Sequence, residues 1–216
     1  WGVSKVSIPV FDLEESINFY NFILGNDIET KINDVDFLDE YYICGGNIEL
    51  RLYKLKNELS NNHSSQSRRT FPTLAINNLD LIVKSLKDDG INYSINKHDQ
   101  SIIIQEPGLN FIELINLETS KEISNKDENN KWNFHHINLE CYDVRSSVNF
   151  VSQYLKMKEG AWKAPFELGK VNIKPNQLAI FNLDNNHSGI HINKADFTFS
   201  WRNNFMHNPT IGGHPA

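Results

Sequence analysis

The chain has 216 residues, 39% of them hydrophobic and 11% aromatic, with a formal net charge of −6 and two cysteines. That composition suits folded domains and excludes a disordered acidic tail and a disulfide framework, so a reducing cytoplasm is the expected compartment. No apolar run approaches the ~18 residues of a membrane span, and the acidic balance offers no footprint for nucleic acid or an anionic membrane.

Val6, Ile8 and Val10 alternate with Ser7 and Pro9, the period of a half-buried strand. Pro9 has no N–H to donate, which suits an edge. Asp12 follows as an N-cap with Glu15 three residues on, then Leu13, Ile17, Tyr20 and Leu24 at helical spacing up to Gly25. A weak strand near Ile28 to Ile32 precedes two stronger ones, 41–44 and 48–53, around the hairpin signal Gly45-Gly46-Asn47. Residues 54–69 are polar and read as a loop. Residues 71–76 are a strand, and Asn78 or Asp80 caps a helix through Ile82, Val83 and Leu86 to Gly90. Past a weak strand near Tyr93, 101–105 and 111–114 flank a second hairpin at Glu106-Pro-Gly-Leu-Asn110. The order strand, helix, three strands thus occurs twice.

The opening then recurs. Residues 5–20 lie over 136–151 without a gap, Asp12 on Asp143, Ser16 on Ser147, Asn18 on Asn149 and Phe19 on Phe150, with Leu24 on Leu155 beyond. A duplicated unit accounts for this pattern. In the copy Asp143 is the cap, and Val144, Val148, Val151 and Leu155 form the apolar stripe. Residues 188–193 read as a strand, and 201–215 as an aperiodic polar loop in which Gly212-Gly213 permits a sharp turn. Histidines concentrate here, six of the eight lying after residue 130.

Three words carry a family resemblance: Asp-Leu-Glu-Glu-Ser-Ile-Asn-Phe-Tyr-Asn-Phe-Ile-Leu-Gly at 12–25, Leu-Ala-Ile-Asn-Asn-Leu-Asp through Leu-Lys-Asp-Asp-Gly at 74–90, and Glu-Pro-Gly-Leu-Asn-Phe-Ile-Glu-Leu at 106–114. In this order they resemble the vicinal oxygen chelate superfamily of glyoxalases, bleomycin-resistance proteins and extradiol ring-cleavage dioxygenases. The resemblance implies an α+β fold of tandem βαβββ modules forming a cupped mixed sheet around a metal. A first module would cover 1–117, a linker 118–131, and a second module 132–216, incomplete at its C-terminus. Family ligands are a His or Gln opening the first strand, a His or Glu opening the strand after mid-module, and a Glu on the last strand. The first module has Lys5, Phe71 and Glu113 at these positions. A protonated lysine is a poor ligand, so this module is expected to be metal-free. Glu113 would then pair with a buried cation or be lent to a site that two units pool.

In the second module His136 takes the first position. Laying Phe71-Pro72 over His214-Pro215 gives His214 the second, and the carboxylate is expected beyond Ala216. Two imidazoles and a carboxylate form the facial set of non-haem Fe(II) oxygenases, and Zn²⁺, Ni²⁺ or Mn²⁺ can use the same donors. By this resemblance the chain is an extradiol-type dioxygenase acting on a small oxygenated substrate. His191 and His207 are then the acid–base candidates, and Arg202, Asn204 and Asn208 the substrate contacts. A glyoxalase-like isomerase or lyase, with a divalent metal as Lewis acid and a role for Glu113, is the first alternative. A metal-free small-molecule binder of the bleomycin-resistance kind is the second. A homodimer is one way to close an incomplete module. His135 is expected on the opposite face of the strand from His136.

Overall fold

The computed structural model describes residues 3–25, 30–35, 38–45, 48–56, 70–96, 100–117, 131–160, 176–182, 189–196 and 198–206. The first motif runs β1 (Lys5–Pro9), α1 (Leu13–Leu24), β2 (Thr30–Val35), β3 (Leu38–Gly45) and β4 (Ile48–Leu55). Asp12 starts α1 by accepting from the Glu15 amide at 3.0 Å, and Gly25, at φ 100°, ends it. The second motif runs β5 (Phe71–Ile76), α2 (Leu79–Asp88), β6 (Tyr93–Asn96), β7 (Ser101–Gln105) and β8 (Phe111–Asn116). Asn78 stands at the cap of α2 with left-handed backbone, φ 64°, and makes no side-chain capping bond, so a backbone turn starts this helix. The third copy runs β9 (Trp132–Cys141), α3 (Val144–Tyr154), β10 (Leu178–Asn182) and β11 (Gly189–Lys194), followed by the single-turn α4 (Phe199–Arg202). Asp143 repeats the capping of Asp12, accepting from the Ser146 amide at 3.1 Å, and that amide is the first cause holding its carboxyl below the ordinary value.

The strand orders show the repetition directly. One sheet is β1-β4-β3-β2; the other is β10-β11-β9-β5-β8-β7-β6. In each copy the first strand pairs in parallel with the last, β1 with β4, β5 with β8 and β9 with β11. Strand β1 is an edge among the described residues, as Pro9 suggested. The second and third copies join through the antiparallel pair β5–β9, so the seven-stranded sheet draws on both sides of 118–131. The fold is α+β with mixed sheets.

Apolar side chains from α1, α2 and the helix-facing sides of both sheets share one core, including Tyr20, Leu50, Leu74, Leu86, Ile104 and Trp132. Under α3, Val144, Val148 and Val151 meet Ala179, Phe181 and Ile192. On the other face of the large sheet, Phe71, Ile103 and Phe111 pack against Phe199 and Phe205 of the α4 segment. Among the described residues no helix is long and apolar enough to cross a membrane.

A buried carboxylate ties the two sheets together at the β7–β8 turn. Glu106 accepts from the Asn110 amide at 3.0 Å, from Asn110 Nδ2 at 2.6 Å and from Ser16 Oγ of α1 at 3.1 Å. Asn110 Nδ2 also donates to the Pro9 carbonyl at 2.7 Å. Burial pushes the Glu106 carboxyl above its ordinary value, against a smaller opposing pull from the Gly108 and Asn110 amides. Tyr20, buried beside it, is pushed well up by burial and then by the Glu106 charge.

The folded state therefore binds the Glu106 proton more tightly than the unfolded chain. The stability linked to it is full below the ordinary carboxyl range and is lost as pH rises through the raised value. Glu106→Gln should become progressively more stable relative to the parent as urea midpoints are followed from about pH 4 to 8; a constant difference would mean that folding does not raise the Glu106 carboxyl. A Cβ at Gly108 would lie 2.5 Å from Glu106 Oε1, an oxygen already held by Asn110. Gly108→Ala should therefore lose about 1–3 kcal/mol in the same unfolding measurement.

Candidate functional site

Residues paired across neighbouring strands share a face, and register decides which side chains meet. On β5, Thr73 is opposite Glu113 of β8 on one side and His136 of β9 on the other. The β5–β9 ladder shifts at this point: Leu74 pairs with Phe134 and Thr73 with His136, leaving His135 as an extra residue. This β-bulge sends Phe134 into the core and His136 to the opposite face, beside Thr73. It also corrects the expectation for His135. Its ring does not turn to the far face but sits with Nδ1 2.7 Å from His136 Nδ1.

The result is a buried polar cluster. Glu113 Oε2 accepts from Thr73 Oγ1 at 2.6 Å and from Asn138 Nδ2 at 3.4 Å; Oε1 accepts from Ser101 Oγ at 2.5 Å and Asn96 Nδ2 at 3.4 Å. His136 Nε2 lies 3.0 Å from Thr73 Oγ1, 3.1 Å from Asn138 Nδ2 and 3.5 Å from Glu113 Oε2. Asn138 Nδ2 donates to Thr73 Oγ1 at 3.1 Å, and its Oδ1 accepts from Asn193 Nδ2 of β11 at 3.0 Å, which fixes the orientation of the amide. His191, also on β11, stacks on His136 with centroids 3.7 Å apart and planes 20° from parallel.

The single hydroxyl hydrogen of Thr73 goes to Glu113, so its oxygen meets His136 as an acceptor. A proton on Nε2 serves Thr73 and an unprotonated Nε2 serves the Asn138 Nδ2 donor at 3.1 Å, with His135 Nδ1 taking the complementary role at His136 Nδ1. The ring is neutral: burial first, then the neighbouring His191 and His135, hold His136 well below its ordinary value of 6.5.

The donor set can be tested against the metal that the resemblance implies. Two ligands at about 2.1 Å from one ion, at the tetrahedral angle, stand about 3.4 Å apart. His136 Nε2 and Glu113 Oε2, 3.5 Å apart, fit that spacing as adjacent ligands. Among the described residues no third His, Cys, Asp or Glu joins them. Nor can His191 do so in its stacked pose, because parallel rings point their lone pairs side by side rather than at one centre. The matching register of the first motif holds Ser7 opposite Arg51, and Arg51 pairs with buried Glu40. Lys5 pairs there with Glu49 at 3.2 Å and lies over the Tyr42 ring.

Of the residues singled out from the sequence, His136, His191 and Glu113 come together. Phe71 packs in the aromatic cluster with Phe111, Phe199 and Phe205. Arg202 is exposed and ion-paired with Asp196, and the Asn204 carbonyl accepts from Asn92 Nδ2 at 3.0 Å. With Trp201 and Phe205 these two line a surface depression of about 600 Å³. His207, Asn208 and His214 lie outside the described residues. Thr73, Ser101, Asn138 and Asn193 escaped the sequence reading. A hydroxyl inside the otherwise apolar run Phe-Pro-Thr-Leu-Ala-Ile, and polar groups at every second position of His136-Ile-Asn-Leu-Glu140, were the available signals.

Compared by sequence, the chain matches no family model and no curated protein. Compared by structure, it is similar to a glyoxalase I variant from Zea mays, with a TM-score of 0.57 and 15% identity over 90% of this chain and 67% of that one. It is also similar to a putative dioxygenase from Bacillus subtilis subsp. subtilis str. 168, with a TM-score of 0.60 and 11% identity over 89% of this chain and 63% of that one. The chain thus spans about two thirds of the length of each. At these identities the likeness is one of fold: the chain has the vicinal oxygen chelate fold.

In the metal-free protein, the His136 ring nitrogens should keep neutral-imidazole NMR shifts as pH falls below 6.5. The unfolded chain takes up that proton first, so the linked stability is present above 6.5 and declines as pH falls. An ordinary titration midpoint for His136 would contradict the assignment.

Proposed function

We propose that the protein is a divalent-metal-dependent enzyme of the vicinal oxygen chelate type, acting on a small oxygenated substrate. One observation carries this reading: His136 and Glu113, from different βαβββ motifs, bring an imidazole nitrogen and a carboxylate oxygen to 3.5 Å inside a buried polar cluster. Pooling of this kind favours the glyoxalase-like isomerase or lyase, the reading in which Glu113 has a role. A bound ion would supply Lewis acidity towards a substrate oxygen. The chain's own groups do the rest. In the ion-binding form, His136 carries its proton on Nδ1 and donates to His135 Nδ1, which orients Nε2. Ser101 and Asn96 hold Glu113 through Oε1, leaving Oε2 facing His136. His191, half-buried and stacked on His136, is the candidate to move a proton.

The second reading, extradiol-type cleavage by an Fe(II) site, relies on His136 with His214. The two differ in their ligands, so metal occupancy separates them. After gentle purification and reconstitution with Zn²⁺, Mn²⁺ or Fe²⁺, the parent chain should hold close to one ion. His136→Ala should lose it under either reading. If Glu113→Ala loses it while His214→Ala retains it, the pooled isomerase-type site stands; the reverse pattern supports the dioxygenase arrangement. A parent chain that takes up no ion leaves the metal-free binding protein as the surviving account.

A further inference from the structure

We infer that Thr73 is the third donor of the ion site, closing a triangular face with His136 Nε2 and Glu113 Oε2. This rests on the metal-binding reading above and deepens it. The edges of the triangle are 2.6 Å from Thr73 Oγ1 to Glu113, 3.0 Å from Thr73 Oγ1 to His136 and 3.5 Å from His136 to Glu113. Adjacent ligands of an octahedral ion at about 2.1 Å are about 3.0 Å apart, the middle of that range.

Placement by the fold makes this more than proximity. Thr73 is the residue of β5 whose register partners are both Glu113 and His136, so the strand between the two ligand strands supplies the corner between the two ligands. It is fully buried in a strand whose other side chains are Phe, Pro, Leu, Ala and Ile, where packing alone would be served as well by valine. Its hydroxyl donates to Glu113 and one lone pair accepts from Asn138 Nδ2, so the lone pair towards His136 is the one left for an ion once Nε2 carries no proton. Ser101, the other hydroxyl on Glu113, contacts Oε1 and does not border His136. Phe71, two residues away on the same face, is committed to the aromatic cluster. A neutral oxygen beside one imidazole and one carboxylate makes an N,O,O face. Such a face binds more weakly than two imidazoles and a carboxylate, and it suits oxygen-preferring ions such as Mn²⁺.

The test is calorimetric titration of the full chain with Mn²⁺ alone. Thr73→Val, which keeps the shape, should weaken binding about 10–100-fold, whereas Thr73→Ser should stay within about threefold of the parent. Should the Val form fail to fold, Thr73→Ala is read in its place. Direct ligation has its own signature: Thr73→Cys loaded with Co²⁺ should gain a thiolate-to-cobalt charge-transfer band that the parent, with Cys44 and Cys141 in place, lacks. A parent that binds Mn²⁺ and a Val form that binds it equally well overturn the role of Thr73 and leave the metal reading standing. Equal weakening by Val and Ser, or no new band in the Cys form, overturns it too. A parent that binds no Mn²⁺, Zn²⁺ or Fe²⁺ removes the metal reading and this inference together.

Discussion

Against Leu74 and Thr73 of β5, strand β9 sets three residues, Phe134, His135 and His136. Without the extra residue, the period of two would keep Phe134 and His136 on one face. Either the histidine would enter the apolar core beside Leu74 and Trp132, or the phenylalanine would leave it. With the extra residue both are accommodated: Phe134 packs edge-on against Trp132, with ring centroids 5.4 Å apart, and His136 faces Glu113. Bulges are a recurrent means of re-aiming a side chain, and here the device determines whether His136 and Glu113 meet at all.

That geometry places polar groups where water is scarce, which is costly unless they satisfy one another. Glu113 is 4% exposed and Thr73 fully buried, and both Glu113 oxygens accept from side-chain donors on β5, β6, β7 and β9. A carboxylate so supplied can remain at the centre of the sheet. The same donors restrict its rotamer, so it presents one oxygen to His136 and the other to the Ser101 side. Fixing the carboxylate's orientation and satisfying its buried charge are here the same set of hydrogen bonds.

Repetition of one motif explains why the cluster spans units. Each βαβββ copy brings its first strand beside its last, so each can offer one residue from either strand at the same height. In the first copy those residues are Ser7 and Arg51, and the small sheet holds ion pairs instead. In the second they are Thr73 and Glu113. The antiparallel β5–β9 contact then adds His136 and Asn138 from the third, with His191 and Asn193 behind them on β11. The α4 segment closes the aromatic end of this face: Phe199 and Phe205 cover Phe111, and Gln105 exchanges two hydrogen bonds with the Met206 backbone.

Much of the local structure follows from the sequence alone, because its causes lie within a few residues. Alternation marks the strands, Asp12 and Asp143 start their helices through their own side chains, and Gly45 and the 106–110 turn place the hairpins. The internal match between 5–20 and 136–151 was enough to anticipate a repeated motif and to single out His136. Sequence could not decide which copies pair, because the β5–β9 ladder joins residues some 60 positions apart. Nor could it show the bulge, whose effect is to break the alternation by which sequence is read. Thr73 was therefore invisible beside His136 and Glu113, and which residue Glu113 meets stayed open between a buried cation and a pooled site. Composition and periodicity determined the elements of this protein; only register across distant strands decided which of their side chains meet.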